Sequence, residues 1–236
     1  MSSVVFVRHA QASLFGADYD QLSVLGQSQA RFLGKYLASL DHGFDEVYIG
    51  PRRRHRQTAE LVFEQVEGKP PEWVELPQLD EHQVDRLATQ HVEKLARVFP
   101  EVCKLHVDFR GSTIQLERQR SFARLFESIA GLWLAGRCEL YGTESWSDFT
   151  TRVNEGIDIM LRRVESGRRV LVFTSAGTIG VALRRALCCP DDVALGLGWR
   201  MWNCSLTRFM FSGDRFSLDQ FNSMPHMLDQ SSWTYR

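Results

Sequence analysis

The stretch Ser3-Val-Val-Phe-Val-Arg-His-Ala10 joins a short apolar run to a charged end. The run from Ser3 to Val7 is β-branched and aromatic without polar alternation, which is typical of a strand buried on both faces of a sheet. The pattern therefore predicts a first strand with Arg8 and His9 at its carboxyl end. Taken alone, the Arg-His pair indicates little more than a charged strand end.

The rest of the chain alternates between strand and helix patterns. Apolar residues recur at helical spacing from Leu22 to Leu40, and Ser23 can serve as the N-cap of that helix. Further strands are predicted at Phe44–Ile49, Trp73–Leu76, Arg169–Phe173, Ser205–Phe211 and Phe216–Phe221, and further helices at Arg54–Val66, Ser145 to about Val164 and Thr178–Cys188. This alternation predicts an α/β protein, a three-layer αβα sandwich with a mostly parallel central sheet.

The segment from residue 84 to residue 140 departs from this alternation. It shows helical patterns around Gln90–Phe99 and Leu116–Leu134 and no convincing strand. We interpret residues 84–140 as a helical insertion that caps the site within a single domain spanning residues 1–236.

Composition limits the classes of partner. The formal net charge is -1, which gives no support for nucleic-acid binding. The five cysteines are odd in number and lack CxxC spacing, so reduced thiols and a cytoplasmic setting are expected. The first residues form neither a signal peptide nor a membrane span, so no membrane partner is expected. No feature defines an oligomeric interface.

Three predicted strand ends carry polar groups suited to phosphate chemistry. In parallel sheets ligands bind beyond the carboxyl ends of the strands, where Arg8-His9, the loop at residues 50–54 and Thr174-Ser175 would lie. Phosphoryl transfer needs fixed positive donors and an in-line nucleophile, and arginine and neutral imidazole supply them. The arginines at positions 52, 53, 54 and 56 crowd a predicted helix start, where cations are unfavourable, so they indicate either an anionic ligand or a solvated basic turn.

The combination of motifs is more specific than any one of them. The runs Val5-Phe-Val-Arg8-His9-Ala10, Asp20-Gln-Leu-Ser-Val-Leu-Gly26-Gln-Ser-Gln29-Ala30 and Gly50-Pro-Arg-Arg-Arg54-His-Arg-Gln57-Thr58-Ala59-Glu60 occur in this order. Together they resemble the histidine phosphatase superfamily, the group that contains the cofactor-dependent phosphoglycerate mutases. Later similarity is found in Leu79-Asp80-Glu81, Gly142-Thr-Glu-Ser145, Arg152-Val153, Thr174-Ser-Ala-Gly177-Thr178-Ile179, Asn203 and Asn222-Ser-Met-Pro-His226.

The resemblance implies roles for individual residues. His9 would accept the phosphoryl group, Arg8 and Arg54 would hold its oxygens, and Glu81 would donate a proton to the leaving group. Glu81 must then be protonated before transfer, which requires burial or a neighbouring anion. Ser175 would bind phosphate, and further positions that could line the site are Gln11, Thr174, Ala176 and His82. No group of residues has metal-ligand spacing, so no metal and no cofactor are expected.

One departure from the family pattern concerns Ser175. The late motif of the family normally reads Ser-His-Gly-Gly-Thr-Ile, and this chain has serine where the second histidine is expected. Loss of one such donor can cost on the order of a hundred- to a thousandfold in rate. Ala10 also replaces the glycine that usually follows the first histidine, which predicts only a small change of fit.

Two functions remain open on the sequence. In the first, Ser175, Thr174 and backbone N–H groups near Gly177 partly replace the imidazole, and the protein hydrolyses small-molecule phosphate monoesters through a phosphohistidine at His9. In the second, the protein binds a phosphorylated ligand or partner with little or no turnover. Retention of the other site residues favours the first. A phosphoglycerate mutase is less favoured, because a balanced two-way transfer depends more strongly on the missing histidine.

Overall fold

A computed structural model of the protein describes residues 1–13, 20–40, 43–68, 71–138, 143–162 and 166–235. Within these residues the chain forms six strands, β1 (Ser2–Arg8), β2 (Glu46–Ile49), β3 (Trp73–Glu75), β4 (Arg169–Thr174), β5 (Leu206–Ser212) and β6 (Arg215–Ser223). They lie in the order β3-β2-β4-β1-β5-β6 in one sheet. Pairing of β1 with β4, β4 with β2 and β2 with β3 is parallel, and β5 is antiparallel to β1 and β6. The predicted mostly parallel sheet is confirmed.

Helices occupy most of the remaining described residues. They are α1 (Val24–Ala38), α2 (Arg53–Phe63), α3 (Val84–Gln90), α4 (Val92–Val98), α5 (Pro100–Gly111), α6 (Gln115–Leu134), α7 (Trp146–Leu161), α8 (Ala176–Leu187) and α9 (Asp191–Trp199), with 3-10 turns at Pro77–Leu79 and Gln230–Ser232. The predicted end of α7 near Val164 lies outside the described residues. Helices α3, α5 and α9 were not predicted. In α9 the apolar positions do not follow helical spacing, and two glycines weaken the pattern.

Both faces of the sheet are buried. On one face Val7 of β1 packs in a cluster with residues of β2 and β4 and with residues of α1 and α2, including Leu33 and Val62. Neighbouring positions on β1, Val4 and Phe6, point the other way and are also buried. Helix α8 contacts β1 and β6. The alternation of buried side chains on both faces is that of the predicted αβα sandwich.

The chain divides into two compact units. The first comprises residues 1–81 and 152–236 and contains the whole sheet. The second comprises residues 82–151 and is helical, with buried residues such as Leu87, Val102, Leu125 and Ile129 forming its interior. The segment predicted as an insertion, residues 84–140, lies within the second unit. At the start of α7 the predicted capping box is present, since Ser145 Oγ accepts from the Asp148 backbone N–H at 3.1 Å.

The loop that follows His9 is fastened to the start of α1. Ser23 is the N-cap of this helix, as predicted, and its Oγ accepts from the Gly26 N–H at 3.0 Å. The same Oγ donates to Gln11 Oε1 at 2.8 Å, and the Ser23 N–H donates to Gln11 O at 2.9 Å. A Cβ atom on Gly26 would lie 2.1 Å from Gln11 O. Glycine at this position is therefore required for the close approach of helix and loop.

We predict that Gly26→Ala lowers the free energy of unfolding by about 1–3 kcal/mol, because the added methyl must push the Gln11 carbonyl away. Urea denaturation measures the change. The matched control is Gly196→Ala in α9, where no atom lies within 4 Å of the added Cβ. Alanine there should be neutral or stabilise by up to about 1 kcal/mol. Equal stability of the two variants would contradict this account of Gly26.

Candidate active site

The carboxyl ends of three adjacent strands meet at one edge of the sheet. The His9 N–H, just after β1, donates to Thr174 O at 2.8 Å, and the Gly50 N–H, just after β2, donates to Phe173 O at 2.9 Å. Since β4 lies between β1 and β2, its end brings Ser175 to the same place. The structure thus brings together the three strand ends identified from the sequence.

His9 is held with one ring nitrogen already committed. Its side chain is buried, and Nδ1 lies 2.8 Å from Ala10 O, an atom that can only accept. Nδ1 therefore carries the proton, which leaves the lone pair on Nε2. Burial lowers the pKa of His9 well below its ordinary value, and the charges of Arg54 and Arg8 lower it further. The imidazole is thus neutral at neutral pH, the form that a nucleophile needs.

The backbone around His9 is fixed by side chains that the sequence reasoning did not single out. Asn203 Nδ2 donates to His9 O at 3.1 Å, and Thr58 Oγ1 accepts from the Ala10 N–H at 3.1 Å. The Gln11 N–H donates to Gln29 Oε1 at 2.9 Å. Thr58, Gln29 and Asn203 belong to the motifs quoted above, so their positions were visible but their scaffolding role was not.

Arg54, in the first turn of α2, is a buried cation with fixed partners. Its side chain is 3% exposed, its Nη1 donates to Asp20 Oδ1 at 2.8 Å, and its Nη2 donates to Ser175 Oγ at 3.4 Å. Asp20 Oδ2 also accepts from the Arg53 N–H at 2.8 Å, so one carboxylate links the helix start to the guanidinium. Arg54 is therefore held in one orientation beside Ser175.

Arg8 is buried as well, and its guanidinium is anchored to the backbone. Nη1 donates to Met201 O, and Nη2 donates to Tyr235 O at 2.5 Å. The positive charge of Arg8 contributes to the low pKa of His9. Its predicted contact with phosphate stays a prediction.

The basic cluster at the start of α2 is matched by carboxylates of the chain. Arg52 Nε lies 2.5 Å from Asp80 Oδ1, and Arg56 Nη2 lies 2.7 Å from Glu75 Oε2. Together with the pairing of Arg54, these contacts offset the unfavourable placement of cations at a helix start. Carboxylates of the protein itself therefore explain how these arginines are tolerated at the helix start. The anionic ligand that the sequence suggested stays a prediction.

Glu81 lies at the start of α8. Its Oε2 accepts from the Gly177 N–H at 3.2 Å, a donor that stabilises negative charge on this oxygen. The neighbouring carboxylate of Asp80 is paired with Arg52 and accepts from the Glu81 N–H at 2.8 Å. This hydrogen bond favours the charged form of the carboxylate, so the predicted role of Glu81 as proton donor stays a prediction.

The segment leading to Glu81 is held by three side chains. Thr174 Oγ1 donates to Leu79 O at 2.7 Å, and Thr178 Oγ1 donates to Asp80 O at 3.0 Å. Arg152 Nη1 donates to Gln78 O at 2.9 Å. The hydroxyl of Thr174, predicted as a possible ligand of the substrate, is thus used to position the loop that carries Glu81.

His55 is the site residue that sequence reasoning missed. It is wholly buried next to Arg54 on α2, and its Nε2 lies 2.6 Å from Ser175 Oγ. Its ring centroid lies 5.7 Å from that of His9. Burial lowers the pKa of His55 well below its ordinary value, and the charges of Arg54 and Arg52 add to this effect. The available signal was its place within the arginine motif, directly after Arg54.

The remaining predicted positions have other contacts. The Gln11 side chain is engaged by the N-cap of α1, and Ala176 is the partly exposed first residue of α8. The ring of His82 packs within the second unit, with centroids 5.2 Å from Trp133 and 5.6 Å from Phe149. The predicted roles of Gln11, Ala176 and His82 at the site stay predictions.

Other features bear on the predicted chemistry. Within the described ranges no three His, Cys, Asp or Glu side chains are grouped so that they could hold a metal ion. All five cysteines are free thiols. Among the helices that the structure describes, none has both the length and the apolar composition needed to cross a membrane.

Comparison with known proteins defines the class. A family model described as histidine phosphatase superfamily (branch 1) matches residues 4–224. No curated protein sequence matches the chain significantly. The chain belongs to the histidine phosphatase superfamily.

Solved structures share the fold at low sequence identity. A phosphoglycerate mutase from Bacillus anthracis is 20% identical with a TM-score of 0.64, covering 95% of this chain and 94% of its own. An alpha-ribazole phosphatase from Shigella flexneri is 16% identical with a TM-score of 0.62, and the match covers 94% of this chain and 96% of that protein. A mycobacterial glucosyl-3-phosphoglycerate phosphatase is 19% identical with a TM-score of 0.62, and the match covers 94% of this chain and 98% of that protein. The predicted phosphoglycerate mutase-like fold is confirmed.

Proposed function

We propose that the protein hydrolyses phosphate monoesters of small molecules through a phosphohistidine at His9. The observation that carries this proposal is the state of His9, a neutral imidazole whose Nδ1–H donates a hydrogen bond to Ala10 O. Its nucleophilic Nε2 keeps the lone pair, and the positive charge of Arg54 acts on the same ring and lowers its pKa. Phosphatases occur among the proteins of the same fold, and five free thiols suit the reducing cytoplasm in which we place the reaction.

The first half-reaction transfers the phosphoryl group to the protein. The lone pair of His9 Nε2 forms a bond to phosphorus while the bond from phosphorus to the ester oxygen breaks. Glu81 gives its proton to that oxygen, so the product leaves as an alcohol. Arg54, together with Arg8, stabilises the negative charge on the three phosphoryl oxygens.

The second half-reaction returns the protein to its starting state. Glu81, now a carboxylate, takes a proton from water as the water oxygen attacks phosphorus. The bond from phosphorus to Nε2 breaks, and its electron pair returns to His9. The sum of the two halves is one ester and one water converted to one alcohol and one phosphate, with Glu81 protonated again.

We predict that His9→Ala lowers the rate of aryl phosphate hydrolysis by on the order of a thousandfold or more, because the covalent route is lost. Phosphate release is measured at mildly acidic and neutral pH with a chelator present. The matched control is His226→Ala, since this partly buried histidine neighbours Tyr36 of α1, with ring centroids 6.3 Å apart. Equal rates for wild type and His9→Ala would refute the proposal. An inert wild type that binds phosphate tightly would favour a phospholigand-binding protein instead.

We predict that Glu81→Gln lowers kcat/KM by about 10²–10⁴-fold for an alkyl phosphate and much less for an aryl phosphate. An alkoxide is a poor leaving group that needs the proton, and a phenolate with an electron-withdrawing group leaves without it. The control is Glu75→Gln, which removes an exposed carboxylate paired with Arg56. Equal losses on the two substrates would show that Glu81 is not the proton donor.

A further inference from the structure

One contact in the site joins residues that the reaction above does not use. His55 Nε2 lies 2.6 Å from Ser175 Oγ, and the same Oγ accepts from Arg54 Nη2 at 3.4 Å. His55 and Ser175 are both wholly buried, whereas His9 and Arg54 keep slight exposure. The chain of contacts runs from the imidazole of His55 through the Ser175 hydroxyl to Arg54, which holds the phosphoryl group in the proposed reaction.

Gly50, just after the end of β2, leaves the space that the His55 ring occupies. A Cβ atom on Gly50 would lie 2.4 Å from His55 Nδ1 and 2.7 Å from Leu79 O. Any residue other than glycine would therefore displace the imidazole or the loop leading to Glu81. The close approach of His55 to Ser175 thus depends on a strand end, a helix start and a second strand end acting together.

We propose that His55 takes the role of the second histidine that position 175 lacks, acting on the bound phosphoryl group through the Ser175 hydroxyl. This inference rests on the proposed function of the site. His55 is a positioning residue, because Ser175 Oγ is the atom that it contacts. The imidazole comes from α2 rather than from the end of β4, so the pocket still contains two histidines.

The charges around His55 explain how it would act. Arg54 precedes it on α2 and is paired with Asp20, and Arg52, at the N-cap of that helix, is paired with Asp80. His9 faces it from the end of β1. Without a bound anion, burial and the two arginines keep the imidazole neutral. A dianionic phosphoryl group beside Arg54 offsets those positive charges and therefore favours protonation of His55.

Protonation fixes the direction of the hydrogen bond to Ser175. A protonated imidazole can only donate, so Ser175 Oγ must accept from His55 Nε2. The hydroxyl hydrogen of Ser175 then turns away from His55 and becomes a donor to a phosphoryl oxygen held by Arg54. The positive charge of His55 thus reaches the transferring group through one hydroxyl.

The experiment measures proton uptake on anion binding with tungstate, a dianion at neutral pH that needs no turnover. Calorimetry in buffers of different ionisation enthalpy gives the uptake, and ¹⁵N NMR of labelled imidazoles identifies the histidine that gains the proton. We expect wild type to take up a proton at His55 and His55→Gln to bind tungstate without this uptake. The control His226→Gln should behave as wild type. Tungstate binding with no change at the His55 nitrogens would overturn the inference.

Kinetics supply a second readout that a merely structural histidine would not move. With an aryl phosphate, His55→Gln should lower kcat by on the order of a hundredfold. It should also remove the limb of the kcat pH profile along which His55 loses its proton. The double variant His55→Ala, Ser175→His restores an imidazole from the other side and should exceed His55→Ala by at least about tenfold. If the double variant does not fold, the His55→Gln comparison decides. An unchanged kcat and pH profile in His55→Gln would overturn the inference.

The two proposals fail separately. His9-dependent hydrolysis that His55→Gln leaves intact would remove the role of His55 and leave the proposed function standing. Proton uptake at His55 on tungstate binding, in a protein that hydrolyses no ester, would remove the hydrolytic function and leave the assigned coupling of His55 to the anion.

Discussion

The hydrogen bond between His9 Nδ1 and Ala10 O is the interaction on which the proposed chemistry depends. It fixes the tautomer, so that the nitrogen directed away from the backbone is the one with a free lone pair. Thr58 and Asn203 hold the segment after β1 by bonding to the backbone groups of Ala10 and His9. Helix α2 and the segment before β5 thus help to fix which ring nitrogen of His9 carries the proton.

The same positive charges serve two purposes at this site. Arg54 and Arg8 lower the pKa of His9 and so keep the proposed nucleophile uncharged. In the proposed reaction they also provide the positive field that a phosphoryl dianion requires. Burying two guanidinium groups is costly unless each is paired or hydrogen-bonded. Asp20 offsets the charge of Arg54, and the backbone carbonyls of Met201 and Tyr235 accept hydrogen bonds from Arg8, so both buried cations have partners.

Local sequence signals predicted much of this architecture. The uninterrupted apolar run of β1 and the Ser23 cap of α1 are properties of a few adjacent residues, and the structure has both. Helix α9 was missed because its residues lack helical periodicity. The contact of His55 with Ser175 was beyond the reach of local patterns, because it joins residues 120 positions apart and depends on β4 lying beside β2. The sequence likewise indicates only that Gly50 lies in a loop, whereas the structure shows that a side chain there would collide with the His55 ring.

The most direct test of the account is to look for a phosphoryl group on His9. Wild type is incubated with an aryl phosphate, quenched in alkali to preserve phosphohistidine, and analysed by intact mass and peptide mapping. The account predicts one added phosphoryl group on the peptide containing His9, bonded through Nε2 and absent from His9→Ala. Phosphate release with no phosphoryl group on His9, or with the group on another residue, would contradict it.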